Sequence, residues 1–203
     1  MFLEAPRGMR DPLVSEQRLK MLGMPRIAPL RVWAAGITVA TGRILPEFDP
    51  ADGGIESRVI ILHEALPFAA SNMAVGPRLI SVDNDSDVAE MLWRSRDSAG
   101  LQQGTALHWT VVPWFLDDPS HVSRADVRDG SAYLLELLYL LPKLETVILC
   151  GELPQQAWAE FIAPLVDKFT VIETWDATAI VNGPASRRQE LQDAFYRAAN
   201  RVF

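Results

Sequence analysis

From residue 58 onward the chain is paced by short apolar runs closed by polar or turn-forming residues: Arg58 to His63 (RVIILH), Ala106 to Val112 (ALHWTVV), Thr146 to Cys150 (TVILC) and Phe169 to Ile172 (FTVI). Runs of this length without polar alternation suit strands covered on both faces of a sheet. Stretches with helical spacing lie between them. Asp87 as N-cap with Glu90 at the third helical position predicts a helix over about Val88 to Ser98, burying Val88, Met91 and Leu92, with Gly100 and Gly104 ending it. Ser131 to Leu141 reads as a helix apolar nearly all round, hence central. Pro154 suits a first helical turn, and Trp158, Phe161, Ile162 and Leu165 mark one face of the helix that follows. Ser186 and Gln189 form a capping box ahead of Leu191, Phe195, Ala198 and Val202. Alternating strands and helices predict an α/β fold: three α/β/α layers around a central four-stranded parallel sheet with right-handed crossovers.

The remaining segments are less regular. Prolines 6, 12, 25, 29 and 46 divide residues 1–54, which read as an N-terminal extension packing on the core of one domain spanning 1–203. Within the extension, Ser15 to Leu22 suits a short helix, Val32 to Val39 a helix or a strand, and Asp49 to Gly54 (DPADGG) a turn. Glu64 to Pro77 reads as a long loop, Arg78 to Val82 as a brief extended piece, and Pro113 to Gly130 as a loop with four aspartates.

A formal charge of -7 argues against coating nucleic acid by charge alone, while leaving room for a local basic patch. Before Leu45 the balance reverses, with seven basic residues against three acidic ones, a scatter that suits a solvated face. The single cysteine, Cys150, rules out an internal disulfide or a multi-cysteine metal site within the chain and reads as a small core residue. No apolar stretch reaches membrane-spanning length and the first ten residues lack a signal-peptide core, so the expectation is a soluble, cytoplasmic protein without a cofactor or metal.

In open parallel sheets, ligands bind beyond the carboxyl ends of the strands. That edge would gather Glu64, Trp114 with Asp117 and Asp118, Glu152, and Thr174 to Asp176. His63 and His108 read as core or rim histidines, and His63 and Glu64, pointing to opposite faces of a strand, do not pair. His121 lies in the aspartate-rich loop within reach of the crevice. Asp117 and Asp118 suit a solvated turn better than a metal, and Asn84 and Asp85 a turn and a helix cap.

With these elements in order, the chain resembles the uracil-DNA glycosylase superfamily over roughly Arg58 to Phe203. The resemblance is carried by RVIILHEALP, LISVDNDSDVAEMLW, HWTVVPW, LLELLYLLPKLETVILCG and the closing RRQELQDAF. TVVPW is its most specific element, similar to the NVVPW of bacterial members. The resemblance implies a four-stranded parallel sheet between helices and metal-free hydrolysis of the N-glycosidic bond of an extruded base. It places Glu64 and Asp176 in catalytic positions; Leu79, Thr110, Trp114 and Trp175 at the substrate; and Arg187 and Arg188 on DNA phosphate.

The chain departs from the family pattern at several of these positions. HEALP keeps Glu64 and Ala65 of the first motif but carries its proline one place later, at Pro67. Leu79 stands where an aromatic stacks on the base, Thr110 where an asparagine reads the base edge, and TWDA where the last motif has HPS. A hydroxyl cannot supply the paired donor and acceptor of a carboxamide, and an ionised Asp176 would oppose negative charge developing on a leaving base. Two readings follow from the resemblance: a DNA-repair protein that binds DNA or a flipped base and excises it by an altered site, or a degenerate relative serving as a binding or assembly module for a protein partner. An unrelated α/β hydrolase using Glu64 and the loop aspartates is a third, without a nucleophile-elbow or phosphate-loop motif behind it.

Overall fold

The computed structural model describes residues 4–64, 66–67, 79–118, 120–181 and 183–202. In chain order the strands are β1 (Glu47–Phe48), β2 (Val59–His63), β3 (Leu66–Pro67), β4 (Leu79–Ile80), β5 (Ala106–Thr110), β6 (Phe115–Leu116), β7 (Thr146–Cys150) and β8 (Thr170–Thr174). The α-helices are α1 (Pro12–Lys20), α2 (Ala28–Thr41), α3 (Asp87–Ser98), α4 (Arg124–Tyr139), α5 (Glu152–Ala157), α6 (Ala177–Val181) and α7 (Ala185–Val202).

The central sheet is all-parallel, four-stranded and ordered β5-β2-β7-β8, with helices on both faces. Strand alternation sorts its side chains into two cores. Ile60, Leu62, Leu107, Trp109, Val147 and Leu149 face one way, into a cluster that includes Leu30 of α2, Leu134, Leu137 and Leu138 of α4, and Trp158 and Ile162. Val59, Ile61, Ala106, Ile148, Cys150 and Ile172 face the other way, toward α3, α6 and α7. Each large apolar side chain so buried contributes about 1.5–3 kcal/mol. Two-sided burial explains why β2, β5 and β7 read as unbroken apolar runs.

Register brings the strand ends level. His63 pairs with Thr110 across β2 and β5, and Cys150 with Thr174 across β7 and β8. From β2 the chain reaches β5 through α3 on the second face, whereas from β7 it reaches β8 through α5 on the first. Neighbouring strands whose connections leave toward opposite faces open a crevice between their carboxyl ends, and here those strands are β2 and β7.

The N-terminal residues pack onto this frame. Ile27, Leu30 and Phe48 enter the first core, Phe48 stacks on Trp109 at 3.9 Å between centroids, and β1 pairs in parallel with β4. Val32 to Val39 lies within α2, with Val32 and Val39 exposed.

Several boundaries differ from the sequence reading. The N-cap of α3 is Ser86, not Asp87: its extended backbone lets the short hydroxyl accept from Ala89 N–H at 3.2 Å, and Asp87 instead pairs with Arg7. Helix α4 begins at Arg124, where the expected loop ran to Gly130, because Ser123 caps it through Asp126 N–H at 3.0 Å. β5 ends at Thr110, and β8 runs later than expected, to Thr174. After α5 the backbone widens into a π turn over Trp158–Ile162, which turns Leu165 out to 65% exposure. Helix α7 already starts at Ala185, so Ser186 lies in its first turn and is not its cap. The loop expected over Glu64 to Pro77 falls largely outside the described residues. No helix among the described residues is long and apolar enough to cross a membrane.

Candidate functional site

Glu64 leaves β2 at the edge of this crevice, and Gly151 leaves β7 beside it. Gly151 has φ 100° and ψ 174°, and its N–H donates to Thr174 C=O at 2.9 Å. A Cβ on Gly151 would lie 2.5 Å from Glu64 Oε1 and 2.9 Å from Asp176 Cβ. The missing side chain is therefore what lets Glu64 and Asp176 close on the same point. The half-buried Glu64 carboxylate lies toward the backbone N–H groups of Leu153 and Glu152, in the first turn of α5. Burial raises its pKa, the negative charge of Asp176 raises it further, and the two N–H groups partly offset the rise. Asp176 is 8% exposed, and its Oδ1 accepts from Thr178 N–H at 2.8 Å and from the Thr178 hydroxyl.

The two strand histidines meet on the second face of the sheet. His63 Nε2 and His108 Nδ1 are 2.9 Å apart, with nearly parallel rings. Burial lowers both pKa values, so the imidazoles are held neutral. Asp176 opposes the shift at His63, while His63 and Arg96 add to it at His108. Burial, with Asp176 nearby, pushes the Cys150 thiol up, leaving a core thiol and no nucleophile.

The other sequence candidates occupy varied places. Thr110 is 1% exposed and its hydroxyl donates to Val112 C=O at 2.9 Å. Leu79 is buried on β4, beside Glu47 of β1. Trp114 is buried, with Nε1 donating to Asp126 at 3.2 Å and the Arg43 guanidinium 4.3 Å above its ring. Trp175 is half-buried between Glu190, which accepts from its Nε1 at 2.8 Å, and Arg187, 4.1 Å over its ring. Arg188 is exposed and lines a cleft of about 490 Å³ between α3 and α7 that Arg7, Asp87 and Glu90 also line. Asp117 lines a separate cleft with Arg43 and Phe115. His121, expected within reach of the crevice, is exposed and bonded to Asp118 at 2.8 Å. Asn84 does set a turn, donating to Leu79 C=O at 3.0 Å, but Asp85 pairs with Arg10 at 2.8 Å and caps nothing.

No protein-family model matches this chain. No curated protein matches it either. The site therefore rests on its own geometry. Among the described residues no cluster of His, Cys, Asp or Glu is arranged to hold a metal ion. What the strand ends do offer is a carboxylate of raised pKa on backbone donors, a second carboxylate beside it, and a neutral imidazole pair behind.

A buried polar network that no motif announces lies next to these histidines. Arg18 of α1 is 1% exposed and bridges Asp49, at 2.7 Å, and Asp83. Asp49 also accepts from Ser81 and from Ala51 N–H at 2.8 Å. Asp52, fully buried, accepts from the His108 backbone N–H at 3.1 Å. Burial and the charge of Asp49 push the Asp52 pKa well up, toward the neutral acid. Arg18 is the cation paired with both Asp49 and Asp83, while the buried Arg96 adds positive charge nearby without an ion pair to either among the described residues. DPADGG does turn the chain, and its aspartates are inside because Arg18 pairs with Asp49 and the His108 backbone N–H donates to Asp52.

Proposed function

We propose that the chain is a uracil-DNA glycosylase-like protein that accepts an extruded nucleobase between the ends of β2 and β7 and hydrolyses its N-glycosidic bond. The carrying observation is Glu64, packed against Gly151 and Asp176, facing two backbone N–H groups and raised in pKa. A general base works best when its pKa approaches the working pH, and burial with a neighbouring carboxylate moves Glu64 that way. Glu64 would orient a water and take its proton as the base departs. Trp175 and Arg187, where β8 leads into α6 and α7, would meet the strand, with Arg188 on phosphate. The TVVPW and HEALP motifs support the same reading.

The test is base excision from oligonucleotides carrying uracil, hypoxanthine, xanthine or a mismatch. Wild-type chain is expected to cleave at least one, and Glu64→Gln, which keeps the shape but not the base, to lose about 10²–10⁴-fold in rate while still binding. Wild-type chain that neither cleaves nor binds any of them at low salt overturns the proposal.

One observation favours the second reading, a binding or assembly module for a protein partner. The Thr110 hydroxyl, which would contact the base edge, is already engaged by Val112 C=O. Under that reading the wild-type chain excises nothing and Glu64→Gln leaves partner capture unchanged.

A further inference from the structure

Between His63 Nε2 and His108 Nδ1, 2.9 Å apart, there is room for one proton, and which ring owns it decides what His63 shows to the crevice. If His63 carried it on Nε2, neutral His108 would carry its own on Nε2. That atom is buried and has no partner among the described residues, so the result is an orphaned N–H in the core. Orphaned buried N–H groups are rarer than under-used acceptors. If His108 instead donates from Nδ1, its Nε2 is a bare lone pair in the positive field of Arg96, whose own Nε–H is buried without a partner among the described residues. His63 then accepts at Nε2 and carries its proton on Nδ1, an arrangement that the negative charge of Asp176 favours.

We propose that His63 presents Nδ1–H to the crevice as a neutral hydrogen-bond donor, fixed in that tautomer by His108, and that it takes a carbonyl oxygen of the bound base. The ligand half rests on the function proposed above; the tautomer half does not. His63 directly precedes Glu64 and is half-buried, so with Nε2 turned inward its other nitrogen is the one a ligand can meet. A donor there supplies what the two carboxylates cannot: stabilisation of negative charge growing on a departing base. Neutrality suits the role, because a neutral donor beside Glu64 and Asp176 does not form an ion pair that would hold Glu64 away from water.

Nitrogen-15 NMR of the imidazoles in the uniformly labelled full chain reads the tautomer directly. Near neutral pH, His63 and His108 are both expected to be protonated on Nδ1 only. A His63 proton on Nε2, or on both nitrogens, overturns the proposal. Adding free uracil or hypoxanthine is expected to shift the His63 Nδ1–H resonance, and no shift with either overturns the ligand assignment. In the excision assay His63→Phe is expected to lose about 10²–10³-fold in kcat with little change in KM, and His63→Gln, which keeps an N–H, to lose less. Equal losses in the two variants count against a donor role. Should the wild-type chain excise nothing, the glycosylase reading fails while the tautomer and the base titration still decide this one.

Discussion

Gly151 is the residue on which the candidate site turns, for two separable reasons. Its φ of 100° with ψ of 174° lies in a region that side-chain-bearing residues scarcely enter, and a Cβ would collide with Glu64 Oε1. Backbone strain of this kind costs about 1–3 kcal/mol. Gly151→Ala is thus expected to lose about that much in urea unfolding and, on the function proposed above, to lose excision beyond what the unfolded fraction explains, because Glu64 must move off the position it holds against Gly151. A variant with wild-type stability and full activity would show that neither the turn nor the packing of Glu64 matters. The chain marks this place only as CGE, a glycine after an apolar run, and nothing in that triplet announces two carboxylates on either side.

At the scale of elements, Arg18 ties α1 to the turn after β1 and to the turn after β4. Removing a guanidinium from between two buried carboxylates leaves them facing each other unpaired, which costs about 3–5 kcal/mol. Arg18→Met should therefore lower the urea midpoint by that equivalent, and adding Asp49→Asn and Asp83→Asn should recover most of it. Failure of the triple variant to recover would mean that α1 is held mainly by its apolar contacts. This network also marks where legibility ended. β2, β5 and β7 were readable because burial on both faces makes each an apolar run. β8 reads early because, as an edge strand, it carries Val171 and Glu173 on exposed positions. The start of α4 is hard to read because Arg124 to Asp129 is a polar, largely exposed helical turn whose only signal is Ser123 with Asp126. The meeting of Glu64 and Asp176 at the strand ends is legible through the strand-end rule, and Glu64 also through HEALP. Asp49, Asp52 and Asp83 are not, since a buried aspartate is identified by the cation that meets it, and Arg18 sits 31 positions from Asp49.

For the whole molecule, the buried titratable groups set a pH dependence with two opposing parts. His108 is neutral in the fold, with a pKa well below 6.5. As pH falls through 6.5 the unfolded chain binds a proton that the folded chain refuses, so stability is lost, at up to about 1.4 kcal/mol per pH unit, until the folded pKa is reached. His63, shifted the same way, adds to that loss. Asp52 acts with the other sign. Its folded pKa stands above 3.8, so the folded state holds the proton more tightly and stability falls as pH rises from 3.8 through the folded value. Urea unfolding from about pH 7 to about pH 4 separates the two. Relative to wild type, His108→Gln is expected to gain stability as the solution is acidified below about pH 6.5, and Asp52→Asn to gain as pH rises from about 4. Difference curves of opposite slope would place both groups in the same dry interior behind the crevice. Flat curves for both would mean that water reaches His108 and Asp52, and with water present His108 Nε2 would have a partner and the His63 tautomer would lose its cause.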